Sequence, residues 1–204
     1  MAMIHVFGIG PGSTEMIIKQ FDNIIQSSDV VIGSRRQLQV IPKKFSGKKI
    51  ILPKLNQLLT ILKDFLAKDK TIVILASGDP LFFGIGSYMI NQFGTDKVYI
   101  YPGISSVQYL FNKIGLSMND CYLTSSHGRI VDFGTLVTQK KIGMVTDEIN
   151  GPYEVAQGLL RQGLTEATVY IGENLSYENE KITKFRLEEV PDKEYQMNVV
   201  VITR

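Results

Sequence analysis

Residues 71–84 read Thr71-Ile72-Val73-Ile74-Leu75-Ala76-Ser77-Gly78-Asp79-Pro80-Leu81-Phe82-Phe83-Gly84. The unbroken apolar run Ile72–Ala76, rich in β-branched types, predicts a strand buried on both faces. A glycine turn follows, and Phe83–Phe93 has helical spacing. Outward from this unit the same alternation repeats. On the N-terminal side Met3–Ile9 and Val30–Ile32 predict strands, while Thr14–Ser28 and Leu55–Ala67 predict helices with apolar residues along one side. On the C-terminal side come a strand at Val98–Tyr101 and a helix at Val107–Ile114. Strands alternating with helices predict a mostly parallel sheet flanked by helices.

The turn-prone segment Gly115–Asp120 reads as a link between two α/β lobes, residues 1–114 and 115–204. Beyond it strands are expected at Tyr122–Thr124, Ile142–Thr146 and Thr168–Ile171, with helices near Val131–Thr138 and at Pro152–Arg161. Lys181–Leu187 and Met197–Thr203 then read as strands with no normal helix between them, so the second sheet should be mixed. A ligand is expected in the cleft between the lobes.

Composition narrows the function classes. Hydrophobic residues make up 44% and charged residues 21% of the 204, which disfavours disorder. The net charge of +2 is too balanced for a protein that lives on nucleic acid. No apolar run reaches spanning length and no secretory pattern opens the chain, so neither a membrane nor export is expected. The single cysteine, Cys121, fits a reducing cytoplasm. One cysteine and two histidines, with no HExxH or CxxC, make a protein-bound metal unexpected.

Three glycine-bearing loops follow predicted strands: Gly8-Ile9-Gly10-Pro11-Gly12, Ser77–Gly84, and Pro102-Gly103-Ile104-Ser105-Ser106. Open α/β sheets bind ligands at such strand ends. The first loop is not a dinucleotide fingerprint, because its third glycine comes early and a proline occupies the turn. Asp29, at about the right distance to bind a ribose, precedes its strand instead of ending it. Each loop alone also has a plain reading: glycine torsions in a tight turn, an Asp-Pro turn initiator, a serine helix cap. The constellation favours a ligand-binding role, for a ligand that is not a dinucleotide.

The ordered set GIGPG, SGDPLFFGIG and PGISS resembles the tetrapyrrole methylases, over nearly the whole chain. Within that family SRRQL (Ser34–Leu38), SSHGR (Ser125–Arg129) and ENLSYENEKI (Glu173–Ile182) are similar to stand-alone members acting on carbon 5 of cobalt-precorrin-7 in cobalamin synthesis. The resemblance implies the two-lobed tetrapyrrole methylase fold and S-adenosylmethionine as methyl donor. It also implies a homodimer. Donor contacts implied by matching positions are Pro11, Gly78, Asp79, Phe82, Ser105 and Ser106. Backbone around Thr124-Ser125 and Met144, with Asn198 as a further position, is expected to complete them from the second lobe.

The implied substrate is a macrocycle fringed with carboxylates, for which arginine forks are suited. Arg129, Arg35 and His127 are the candidates to hold it, each also readable as solvated surface. His5, inside a strand, reads as structural. A reduced tetrapyrrole supplies its own carbon nucleophile, so no catalytic residue is assigned. Two lobes leave no room in these residues for the second methyltransferase domain of related fused enzymes. A separate protein is therefore expected to methylate carbon 15 and remove a carboxyl group. Alternative readings are a methylase of the same fold acting on another tetrapyrrole carbon, a diphthamide precursor or RNA, and a non-catalytic partner lobe of a corrin-synthesis assembly.

Overall fold

The computed structural model describes residues 2–204. The chain divides into two compact units, the first ending at Ser105 and the second spanning Ser106–Arg204.

The first unit contains strands β1 (Ile4–Gly8), β2 (Val30–Gly33), β3 (Lys48–Ile51), β4 (Ile72–Ala76) and β5 (Val98–Tyr101). They form one sheet of order β3-β2-β4-β1-β5, parallel throughout. Helices α1 (Phe21–Gln26), α2 (Leu55–Ala67) and α3 (Gly86–Phe93) cover it. Ile4, Val6, Ile72 and Ile74 pack on one face with Leu58 and Leu62 of α2 and Met89 of α3. Phe7, Val31, Val73 and Leu75 pack on the other with Phe21 and Ile25 of α1. Covering both faces is why β4 needs an unbroken apolar run: all its residues are buried.

Several elements differ from the pattern in the sequence. The expected helix at Thr14–Ser28 is a short 3₁₀ turn, Thr14–Met16, followed by α1, with Ile17 extended between them. Met16 lies against Gly10, whose added Cβ would stand 3.2 Å from the Met16 carbonyl oxygen. Helix α3 starts at Gly86, not Phe83, because Phe83 has a positive φ of 53° and the Gly86 amide donates to Pro80. Strand β3 carries Lys48 and Lys49 at the sheet edge and has no apolar alternation to announce it.

The second unit contains α4 (Ser106–Ile114), β6 (Tyr122–Ser125), α5 (Phe133–Leu136), β7 (Lys141–Val145), α6 (Pro152–Arg161), β8 (Thr168–Glu173), β9 (Lys181–Arg186) and β10 (Asn198–Thr203). Its sheet runs β6-β7-β10-β8-β9. β6 and β7 are parallel, and the remaining neighbours are antiparallel. The mixed sheet expected from the tail is present. Helix α5 is shorter than the Val131–Thr138 expectation and is capped by Asp132, whose carboxylate accepts from the Thr135 amide.

The boundary falls before α4 and not at Gly115–Asp120. Helix α4 packs on β7: a Cβ on Gly143 would meet Val107 at 2.7 Å and Phe111 at 3.1 Å. The turn-prone segment therefore connects two elements of the same unit. Among the described residues no helix is long and apolar enough to cross a membrane.

Candidate functional site

β4, β1 and β5 are neighbours in the first sheet, so the loops leaving their carboxyl ends lie side by side. The backbones of these loops interlock. The Gly78 amide donates to the Gly10 carbonyl at 2.8 Å, and the Gly10 amide to the Gly78 carbonyl at 3.3 Å. Both glycines have positive φ, 75° at Gly10 and 62° at Gly78, which L side chains adopt at a cost. A Cβ on Gly8 would stand 2.7 Å from both the Gly103 nitrogen and the Gly78 oxygen. One on Gly103 would overlap the Gly78 carbonyl oxygen.

The close approach at Gly8 and Gly103 is therefore of loop to loop. At Gly78 an added Cβ would meet the Ser105 Cα at 3.4 Å, an ordinary contact, and the restriction there is its torsion.

Asp79 joins two of the loops. One carboxylate oxygen accepts from the Leu81 amide at 2.8 Å, and the other from the Gly103 amide at 3.2 Å. Its first task is thus to shape the loops. Pro11 and Ser105 are buried, Gly78 is half-buried, and half-buried Phe82 meets Phe83 edge-on at 4.8 Å. Ser106, half-buried, opens α4 in the second unit.

The turn after β2 joins the same edge. Ser34 and Gln37 cap one another: the Ser34 amide donates to Gln37 Oε1 at 2.7 Å, and the Gln37 amide to Ser34 Oγ at 3.2 Å. Gln37 Nε2 and Arg36 Nη2 then both donate to Ser77 Oγ, at 3.0 and 2.9 Å. Buried Gln37 was not singled out in the sequence, although Ser-x-x-Gln is a capping-box spacing. Arg35 is exposed beside it.

Asp29 sits at the opposite edge, just before β2. It accepts from Lys70 Nζ at 2.9 Å and the Thr71 amide at 2.8 Å. The Lys70 bond first, then the Thr71 amide, holds its carboxyl below the usual range. Its place at the amino end of the strand removes it from the glycine loops.

In the second unit the carboxyl ends of β6, β7 and β8 and the start of β10 share one sheet edge. Thr124 pairs with Met144, which pairs in turn with Val200. Thr124 is half-buried, while the Met144 side chain is wholly inside the second core. Met144 as a whole is fully buried, between Thr124 and Val200 of the neighbouring strands.

Thr146 Oγ1 donates to the Asn198 carbonyl at 2.8 Å and contacts its side-chain oxygen at 2.5 Å. The His127 amide donates to Ser125 Oγ, and the Arg129 amide to the Ser126 carbonyl. Both side chains are exposed.

Asp147, which the sequence reading passed over, ties this loop to the next. It accepts from the amides of Gly128, Ile149 and Asn150 at 2.7–3.1 Å. The Asn150 bond leads in holding its carboxyl below the ordinary value, helped by Gly128, Ile149 and the charge of His127 against the opposing effect of burial. Its Asp-x-x-Asn spacing after a strand is an Asx-turn signal. At the end of β8, buried Glu173 accepts from Lys193 Nζ and the Gln196 amide. Among the described residues no group of three His, Cys, Asp or Glu is placed to hold a metal ion.

Loops gathered at the carboxyl ends of neighbouring parallel strands form the ligand edge of an open α/β sheet. Residues 3–191 match the model of the tetrapyrrole (corrin/porphyrin) methylases, and the chain belongs to that family. It is 42% identical to the cobalt-precorrin-7 C(5)-methyltransferase of Salmonella typhimurium, over 98% of each chain. To the probable cobalt-precorrin-7 C(5)-methyltransferase of Methanocaldococcus jannaschii it is 32% identical, over 98% of this chain and 97% of the other. The fold is shared with a uroporphyrin-III C-methyltransferase from Thermus thermophilus complexed with S-adenosylhomocysteine. That likeness has a TM-score of 0.82 and 20% identity, covering 100% of this chain and 98% of that one.

Proposed function

We propose that this chain transfers a methyl group from S-adenosylmethionine to carbon 5 of cobalt-precorrin-7. The observation that carries the reading is the 42% identity to a protein of that activity over 98% of both chains. The first unit's loop edge supports it. A sulfonium nucleoside with a charged amino-acid tail suits loops rich in free backbone groups, and Gly8, Gly78 and Gly103 keep side chains out of the loop junction.

The donor brings a methyl carbon on a positively charged sulfur, and the reaction is a displacement in line with that sulfur. The work of the protein is alignment, for which orientation is worth roughly 7–11 kcal/mol against free encounter. Pro11, Gly78, Asp79, Phe82, Ser105 and Ser106 are assigned to the donor. Asp79 acts by fixing the Gly78 and Gly103 loops against one another. On the second unit Thr124 is assigned to the donor, with buried Met144 backing it from the adjoining strand, and His127 and Arg129 are assigned to the macrocycle. On the first unit Arg35 is assigned to a rim carboxylate of the macrocycle, which guanidinium forks match. No side chain is assigned as acid or base, because a nucleophilic ring carbon needs none for the methyl step.

The single cysteine favours the cytoplasm, and the family resemblance favours a homodimer. A separate protein is assigned the methylation of carbon 15 and the loss of a carboxyl group. The test is calorimetry with S-adenosylhomocysteine and NAD, followed by turnover with labelled S-adenosylmethionine and cobalt-precorrin-7. Binding of the sulfur compound alone and transfer of label to the macrocycle are expected. Binding of NAD, or label that stays on the donor, contradicts the reading.

A further inference from the structure

Phe83 has its backbone in the left-handed region, with φ 53°. A bulky L-residue stays there only where its surroundings impose it. The surroundings here are well determined. The Pro80 carbonyl accepts from the Gly86 amide at 2.8 Å, and the Phe82 amide donates to the Asp79 carbonyl at 3.2 Å. A Cβ on Gly84 or Gly86 would stand 2.6 or 2.7 Å from the Pro80 oxygen, so the chain wraps that carbonyl with nothing to spare. Glycine would fit position 83 without strain. The sequence instead places an aromatic residue there and leaves it 40% exposed, next to Leu81 at 51%. Burial is an incomplete account of such a choice.

The loop also stands beside positive charge. Ser77, at its start, accepts from Arg36 and Gln37 in the turn that carries exposed Arg35. An apolar ridge with guanidinium groups on an adjoining turn complements one class of ligand: a broad, flat, apolar ring system with carboxylates around its rim.

Resting on the function proposed above, we infer that Phe83, with Leu81 beside it, is the platform on which one face of the tetrapyrrole macrocycle lies, a specificity contact separate from the donor contacts. Offset packing of an aromatic ring on a π-face adds to the area it buries. The imposed torsion keeps the ring presented before the substrate arrives, so little freedom is lost on binding.

The experiment compares the parent with Phe83→Gly and Phe83→Trp. It measures the dissociation constants of S-adenosylhomocysteine and of cobalt-precorrin-7, the KM of the latter, and the melting temperature. Phe83→Gly is expected to weaken cobalt-precorrin-7 binding and raise its KM about tenfold or more. S-adenosylhomocysteine affinity should stay within about twofold. Strain relief offsets lost contact, so the melting temperature should stay within about 4 °C of the parent. Phe83→Trp, still a flat aromatic, should keep macrocycle affinity within about threefold.

Unchanged macrocycle affinity in Phe83→Gly overturns the inference, as does a parallel fall in S-adenosylhomocysteine affinity, which would put the ring in the donor site. If the parent itself binds S-adenosylhomocysteine but not cobalt-precorrin-7, the substrate assignment fails and the platform fails with it. Parent binding with an indifferent variant defeats the platform alone.

Discussion

Gly10 and Gly78 exchange a pair of backbone hydrogen bonds, at 2.8 and 3.3 Å, across the ends of two neighbouring parallel strands. This bridge makes the loops after β1 and β4 one object, and Gly103 closes on it from the loop after β5. A change at the junction should therefore register in all three loops.

Gly103→Ala is the direct test of that junction. Its Cβ would overlap the Gly78 carbonyl oxygen, a backbone atom that cannot swing aside. Overpacking of this kind costs about 1–3 kcal/mol. The expected result is a lowered melting temperature together with weaker binding of S-adenosylhomocysteine, read by calorimetry. An alanine variant with parental stability and affinity would show that the loops part easily.

Asp79→Ala removes the acceptors of the Leu81 and Gly103 amides. The exposed Leu81 amide can turn to water, but leaving the part-buried Gly103 amide without a partner costs about 1–3 kcal/mol. Chemical denaturation should show that loss, and donor affinity should fall with it. Asp79→Asn keeps one acceptor oxygen and should lie between the parent and the alanine variant.

Much of this was legible beforehand, and the exceptions share a cause. The Ile72–Ala76 run announced a strand covered on both faces, and the glycine positions announced tight turns at strand ends. Sequence pattern does not encode which surfaces approach which. The three glycine loops together read as a ligand-binding constellation, yet the atoms nearest Gly8 and Gly103 belong to neighbouring loops. Val107 and Phe111 read as the last helix of the first lobe, yet they press on Gly143 in the second sheet. The bond from Thr146 to Asn198 spans 52 residues and left no local trace. The left-handed torsion of Phe83 is likewise invisible in a string of apolar letters.

Arg129→Ala should raise the KM for cobalt-precorrin-7 by about tenfold, the effect of losing a charge-assisted contact. Calorimetry should find S-adenosylhomocysteine affinity unchanged. Equal kinetics in parent and variant would return this exposed side chain to plain solvated surface.

His5 gives a pH dependence of known sign. Its Nδ1 is buried with no hydrogen-bond partner among the described residues, beside the rings of Tyr99 and Tyr101 at 6.3 and 5.7 Å. Burial lowers its pKa below 6.5. The unfolded chain then holds more protons than the folded one in acid. The contribution of His5 is at its fullest above 6.5 and is lost as pH falls through the lower folded value. His5→Phe should therefore gain in melting temperature relative to the parent at about pH 5.5 compared with about pH 8. A difference that does not change with pH would mean that the imidazole is not the titrating group.

The most direct test of the central claim is the structure of the product. The chain is incubated with ¹³C-methyl S-adenosylmethionine and cobalt-precorrin-7, and the product is examined by mass spectrometry and carbon NMR. The account predicts one labelled methyl group, on carbon 5, with every carboxylate retained. Label at another ring carbon, a second methyl group, or loss of carbon dioxide from the isolated chain would contradict it.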